Sequence, residues 1–149
     1  MSDYRNTLIV AFDFDGTITD GSGGLHGPFT MRPDTADLLR FLKAEGIHLI
    51  LWTCREDEVL HDAQLFLAQH SLWHLFSAIN DNVTFLSFPT SRKIYADYYV
   101  DDRDFGWAWD KDSRWLPLVQ ALEKDSFFNR KGYQHPGFLC RSYLEFLIK

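Results

Sequence analysis

Residues 8–17 read LIVAFDFDGT, an unbroken apolar run that ends in two carboxylates spaced two residues apart. A run without polar alternation is typical of a strand buried on both faces of a parallel sheet. In open α/β sheets the ligand crevice lies at the carboxyl ends of the strands, where this run places Asp13 and Asp15. Because carboxylates beside an apolar strand are costly to bury without a cation or hydrogen bonds, the segment predicts a metal site.

Apolar and helix-like segments alternate along the chain, which predicts βαβ units and an α/β fold, a three-layer Rossmann-like domain with a mainly parallel sheet. Strands are expected at 7–12, 47–52, 78–80 and 96–100, while 83–88 is either a strand or an extended loop. Helices are expected at 33–45, 56–70, 113–124 and 138–148. The glycine-rich segment 21–28 predicts a loop or a short hairpin.

Length, net charge and cysteine content limit the class of protein. A chain of 149 residues without repeats or a long linker suits one domain spanning 1–149. The net charge of −6 disfavours extended nucleic-acid binding, although a phosphorylated polynucleotide end stays open as a substrate. Two cysteines without a CxxC pair indicate a reducing compartment. No signal peptide or membrane-spanning apolar run is evident, so we expect a cytoplasmic protein without a membrane partner.

Polar residues follow three of the expected core strands. After Asp13 and Asp15 come Thr53, at the end of the second strand, and the pair Asp101 and Asp102, at the end of the last. The carboxyl ends of parallel strands point the same way, so these side chains converge on one crevice. A bound Mg²⁺ would remove the repulsion between the crowded carboxylates and attract phosphate oxygens.

Further groups near this edge suit a phosphate. Lys93 precedes the last strand, and backbone N–H groups near Gly16 and Cys54 could share the phosphate oxygens. A carboxylate can attack phosphorus to form an acyl phosphate, which makes Asp13 a candidate nucleophile. A second carboxylate two residues on, Asp15, is placed to protonate the leaving oxygen and later to deprotonate water.

These residues, in this order, resemble the haloacid dehalogenase (HAD) superfamily of phosphotransferases. Its four motifs are matched by Asp13-Phe14-Asp15-Gly16-Thr17, Thr53, Lys93 and the pair Asp101-Asp102. The resemblance spans 7–104. The surrounding residues Thr53-Cys54-Arg55-Glu56 and Tyr99-Val100-Asp101-Asp102-Arg103 look like a small, capless bacterial hydrolase subgroup.

The resemblance implies a role for each matched residue. Asp13 would be the nucleophile and a metal ligand, and Asp15 the general acid/base that also binds metal through its backbone carbonyl. Thr53 would hydrogen-bond the phosphoryl group, and Lys93 would neutralise charge on it. An Asp at the acid/base position is typical of phosphatases, so the implied activity is Mg²⁺-dependent hydrolysis of phosphomonoesters through an aspartyl phosphate.

The resemblance also implies a metal-binding role for the acidic pair. Asp101 ranks first because it directly follows the strand, with Asp102 either a ligand or its neighbour. The segment 17–33 has no room for a separate cap domain, so the site is expected to be open or covered by the glycine-rich loop or by a second subunit. The expected partner is a phosphorylated substrate, most simply a small molecule, and assembly into a homo-oligomer is left open as well.

Several residues carry two interpretations. Arg55 could contact the substrate or could pair with Glu56 or Asp57, and Asn80 could face the crevice or form a turn. Cys54 has no histidine partner in the pattern, so a packing role is favoured.

Two other classes of function compete with hydrolysis. A phospho-acceptor domain of the receiver type uses similar groups in a different order. A scaffolding protein could use the aromatic segment 105–149, where Trp107 and Trp109 could stack on a substrate, lie in a dimer interface or fill the core.

Overall fold

A four-stranded parallel sheet forms the centre of the molecule. The computed structural model describes residues 7–104, 115–125, 127–128 and 138–148. Its strands are β1 Ile9–Phe12, β2 His48–Leu51, β3 Phe76–Ile79 and β4 Tyr98–Val100. They lie in the order β3-β2-β1-β4, and every neighbouring pair is parallel. The predicted α/β class with a Rossmann-like parallel sheet is therefore confirmed.

The helices of the described residues share an apolar cluster with one face of the sheet. They are α1 Thr35–Ala44, α2 Asp57–Gln69, α3 Leu116–Glu123 and α4 Phe138–Leu147, with a short 3₁₀ turn at Trp73–Leu75. Leu8, Val10 and Phe12 point into this cluster. The connections through α1 and α2 step along the sheet in the same direction, so right-handed crossovers put both helices on one face.

The opposite face is covered by the connection between β3 and β4. This connection returns past β1, so a right-handed crossover carries it over the other side of the sheet. There Val83, Ile94 and Ala96 pack against Ile9 and Ala11. No strand forms at 83–88, so the extended-loop alternative is the correct one, and the described part of this third layer is a packed loop rather than a helix.

Side-chain hydrogen bonds shorten two of the predicted strands. The Asp97 carboxylate accepts the backbone N–H of Ile9 at 2.8 Å, and the Asp97 N–H donates to the Ile9 carbonyl. A side chain thus takes the place of a backbone partner, and β1 and β4 begin at Ile9 and Tyr98 rather than at 7 and 96.

The helix predicted at 113–124 begins at Leu116, with 113 and 114 outside the described residues.

The glycine-rich segment forms a hairpin beside the end of β1. Thr19 and Met31 form an antiparallel bridge, and the Asp20 N–H donates to the Thr30 carbonyl at 2.9 Å. Edge-to-face contacts hold the hairpin against the body, because the Phe29 ring lies 5.3 Å from Phe14, centroid to centroid. We call residues 19–31 the hairpin.

In the described ranges, every helix is too short or too polar to cross a membrane.

Candidate metal and phosphate site

The strand order places two acidic segments next to each other. From β1 the chain adds β2 and β3 on one side and β4 on the other, so the strand order reverses between β1 and β4. These two parallel strands are adjacent and in register at Phe12 and Val100. Asp13 follows β1 directly, and its N–H donates to the Val100 carbonyl at 3.0 Å. Asp101 follows β4. Both residues therefore lie at the point where open α/β sheets bind ligands.

Three carboxylates meet at this point. Oxygen atoms of Asp13, Asp101 and Asp102 lie within 4.8 Å of one another, and all three residues are partly buried. Burial, and next the charge of Asp101, raises the pKa of Asp13 to about 7, with a smaller contribution from Asp102. Three acidic oxygen ligands at this spacing suit a hard divalent cation such as Mg²⁺, which would remove the repulsion between them.

Thr17 joins two of these carboxylates. Its buried hydroxyl oxygen accepts the Asp102 N–H at 3.0 Å and lies 3.3 Å from both Asp13 Oδ2 and Asp102 Oδ1. A hydroxyl has a single proton, so it donates to one carboxylate at a time. Sequence reasoning assigned Thr17 no role of its own, although a polar residue directly after Asp-Gly in a buried turn is a usable signal.

Gly16 allows Asp102 to approach the turn after β1. Its φ is +81°, and a Cβ atom there would collide with the Asp102 carboxylate. Its carbonyl accepts from Arg32 Nε and Nη2 at 2.9 and 2.8 Å, a contact with no sequence signal. The Gly16 N–H lies 3.5 Å from the Thr19 hydroxyl, and its predicted contact with phosphate stays a prediction.

Replacing Gly16 by alanine is expected to disrupt the acidic cluster. The added methyl group displaces Asp102 and strains a left-handed backbone, so Mg²⁺ affinity should fall at least about tenfold, as measured by titration calorimetry. Gly24→Ala is the matched control, because Gly24 has a φ of +63° and open space around its Cβ position. Equal losses in both variants would show that strain, not contact with Asp102, is responsible.

Thr53 and Asn80 form a linked turn at the end of β2. The Asn80 Oδ1 accepts the Thr53 N–H at 2.8 Å, and the Asn80 N–H donates to the Leu51 carbonyl. The Thr53 hydroxyl accepts the Arg55 N–H at 3.2 Å, and a hydroxyl in that position still has its own proton to donate. Asn80 thus has the turn-forming role, with a φ of +52°, and it fixes the segment that carries Thr53.

Lys93 lies in an open cleft beside Asp101. Lys93 is exposed, and its Nζ lies over the Tyr99 ring, 4.9 Å from the centroid. The cleft measures about 540 Å³ and is lined by Trp52, Lys93, Asp97, Tyr98, Tyr99, Val100, Asp101, Arg103 and Asp104. Lys93 and Asp101 therefore line the same cleft.

The Asp15 carboxylate pairs with Arg55. Arg55 Nε and Nη2 donate to the two Asp15 oxygens at 2.7 and 2.8 Å. Of the two interpretations of Arg55, the pairing with Glu56 or Asp57 does not form, because Arg55 is buried and points into the hairpin side of the site. With Asp15 as its partner, Arg55 has no exposed face for the substrate contact that was its other interpretation. The predicted metal contact of the Asp15 carbonyl stays a prediction.

Cys54 differs from its expected packing role. Its side chain is exposed, because Thr53 and Arg55 take the inward positions of this turn. The predicted role of its backbone N–H in phosphate binding stays a prediction. Trp107 and Trp109 lie outside the described residues.

Comparisons with known proteins bear mainly on the fold. No protein-family model matches the sequence, and no curated protein matches it. Among solved structures, a conserved protein from Bacteroides thetaiotaomicron is similar, with 29% sequence identity and a TM-score of 0.65. The similarity covers 87% of this chain and 99% of that one, so it extends well beyond the central sheet.

Proposed function

We propose that this chain is a Mg²⁺-dependent phosphomonoester hydrolase of the HAD type, with Asp13 as the nucleophile. The observation that carries the proposal is the meeting of Asp13, Asp101 and Asp102 within 4.8 Å at the point where the strand order reverses. Three carboxylates are costly to hold together in a partly buried site, and a bound cation would remove that cost.

The proposed reaction uses Asp13 and Asp15 in two steps. An Asp13 oxygen attacks phosphorus, the bond from phosphorus to the leaving oxygen breaks, and Asp15 gives a proton to that oxygen. Asp15 then takes a proton from water, the water oxygen attacks phosphorus, and the bond to Asp13 breaks to release phosphate. Asp13, Asp101 and Asp102 would hold the Mg²⁺, which when bound neutralises the carboxylates and draws in the phosphoryl oxygens.

Other side chains of the site suit the phosphoryl group. The Thr53 hydroxyl has a proton to donate, and the exposed Lys93 ammonium lines the cleft beside Asp101. The net charge of −6 favours a phosphorylated small molecule over a long polyanion. We also infer a cytoplasmic location, where Mg²⁺ and phosphate esters are available. We further propose 105–149 as a candidate interface for a homo-oligomer, which size-exclusion chromatography of the purified protein tests.

A chromogenic assay tests the proposed activity. The purified protein should release phosphate from para-nitrophenyl phosphate with Mg²⁺, and removal of the metal by EDTA should abolish the release reversibly. An equal rate with and without EDTA contradicts the metal-dependent mechanism. A protein that keeps a stable phosphoryl group without turnover would favour the phospho-acceptor alternative.

A further inference from the structure

Arg55 uses all of its hydrogen-bond donors inside the protein. Nε and one Nη2 hydrogen hold the two Asp15 oxygens, as described above, and the second Nη2 hydrogen donates to the Gly24 carbonyl at 2.9 Å. Nη1 donates to the carbonyls of Leu25 at 2.6 Å and Val59 at 2.8 Å. A guanidinium has five N–H groups, so one buried side chain connects the Asp15 carboxylate, the hairpin and α2.

Two aromatic rings fix the Arg55 guanidinium further. Its central carbon lies 4.8 Å from the centroid of Phe29 in the hairpin and 5.2 Å from that of Phe14 in the turn after β1. Ring contacts and in-plane hydrogen bonds together restrict both the position and the tilt of the group. The orientation of Asp15 is thereby set by a residue 40 positions away in the sequence.

We propose that Arg55 is a positioning residue that orients the Asp15 carboxylate toward the leaving oxygen and couples this orientation to the seated hairpin. The proposal rests on the proposed function, because it assigns Asp15 the proton transfer. Arg55 itself has no donor left for substrate in this arrangement, so it acts through Asp15. The hairpin is the element that Arg55 holds beside the site.

The conservative substitution Arg55→Lys separates positioning from charge. Lysine keeps the positive charge but offers a point charge in place of a planar fork, so it cannot hold both Asp15 oxygens together with three carbonyls. Proton donation matters most when the leaving group is basic. A defect in the orientation of Asp15 therefore slows the first step, in which the leaving group departs, far more for an alkyl phosphate than for an activated aryl phosphate.

Rates with two substrates test the catalytic half of the proposal. In single-turnover measurements of leaving-group release, the step before water attack, Arg55→Lys should slow the release of glycerol from glycerol phosphate about a hundredfold. The release of dinitrophenolate from dinitrophenyl phosphate should slow less than about threefold. Asp15→Asn should show the same selectivity, and the double variant should be no slower than Asp15→Asn alone. Equal losses on both substrates, multiplying losses in the double variant, or faster hydrolysis of glycerol phosphate would each overturn this positioning role.

Hydrogen exchange tests the coupling between Arg55 and the hairpin, and it does not depend on enzymatic turnover. The Gly27 N–H donates to the Gly23 carbonyl within the hairpin, and its exchange should become at least about tenfold faster in Arg55→Lys. Asp15→Asn leaves the contacts of Arg55 with Gly24 and Leu25 in place, so its Gly27 exchange should match the wild type. Unchanged exchange in Arg55→Lys would overturn the coupling. A wild-type protein inactive on both substrates would instead overturn the proposed function, while the exchange result still stands.

Discussion

Asp13→Asn is expected to lower kcat for para-nitrophenyl phosphate by about a thousandfold or more. An amide oxygen is a poor nucleophile toward phosphorus and a weaker Mg²⁺ ligand than a carboxylate, so the substitution removes both roles of Asp13 at once. Phosphate release under saturating Mg²⁺ measures the effect. The size of the loss exceeds what the removal of a single ligand contact would produce.

The matched control for this substitution is Asp37→Asn. Asp37 lies in α1 with 47% of its side chain exposed, and removing its charge should leave kcat within about twofold of the wild type. Asp13→Asn should also stay folded, because it relieves repulsion within the acidic cluster. A folded Asp13→Asn protein that keeps more than about a tenth of the activity would exclude Asp13 as the nucleophile.

The metal-free protein is expected to lose stability as the pH rises from about 4 to about 7, as far as Asp13 is concerned. Burial and the neighbouring Asp101 raise the pKa of Asp13 to about 7, so the folded state binds a proton more tightly than the unfolded chain does. Above about pH 7 the ionised Asp13 costs about 1–2 kcal/mol, with allowance for solvent screening. Mg²⁺ should reverse this loss, because it binds the ionised form.

Thermal unfolding of wild type and Asp13→Asn checks this pH dependence. At about pH 8 without metal, Asp13→Asn should melt about 3–6 °C higher than the wild type, and the difference should shrink toward about pH 4. Added Mg²⁺ should raise the melting temperature of the wild type at the higher pH and leave that of Asp13→Asn nearly unchanged. An equal increase in both proteins would mean that the ion binds elsewhere.

The parts of the fold with local signals were predictable from the sequence. The unbroken apolar run of β1 and its terminal carboxylates follow from burial on two faces, and the alternation of segments predicts the parallel sheet. The segment 83–88 was ambiguous, since apolar residues such as Val83 and Leu86 suit a strand as well as a packed loop. Next to this segment, the Asn82 side chain accepts the Tyr95 N–H and donates to the Thr90 hydroxyl, and these hydrogen bonds link residues with no periodic relation.

The three carboxylates could be predicted from the sequence, whereas the hydrogen bonds of Arg55 could not. Asp13 and Asp101 each follow an apolar strand, so strand direction alone predicts that they meet. The partners of Arg55 lie in three separate segments, and three of its five acceptors are backbone carbonyls, which leave no trace in side-chain patterns. Likewise, the contact between Arg32 and the Gly16 carbonyl depends on the path of the hairpin, which the sequence predicts only as a loop or a short hairpin.

A calorimetric titration with Mg²⁺ tests most directly whether Asp13, Asp101 and Asp102 share one cation. The wild type should bind about one ion per chain, and Asp101→Asn should weaken this binding by about tenfold or more, whereas Asp104→Asn, an exposed acidic residue three positions on, should not. No Mg²⁺ binding by the wild type, or equal affinity in Asp101→Asn, would contradict the account.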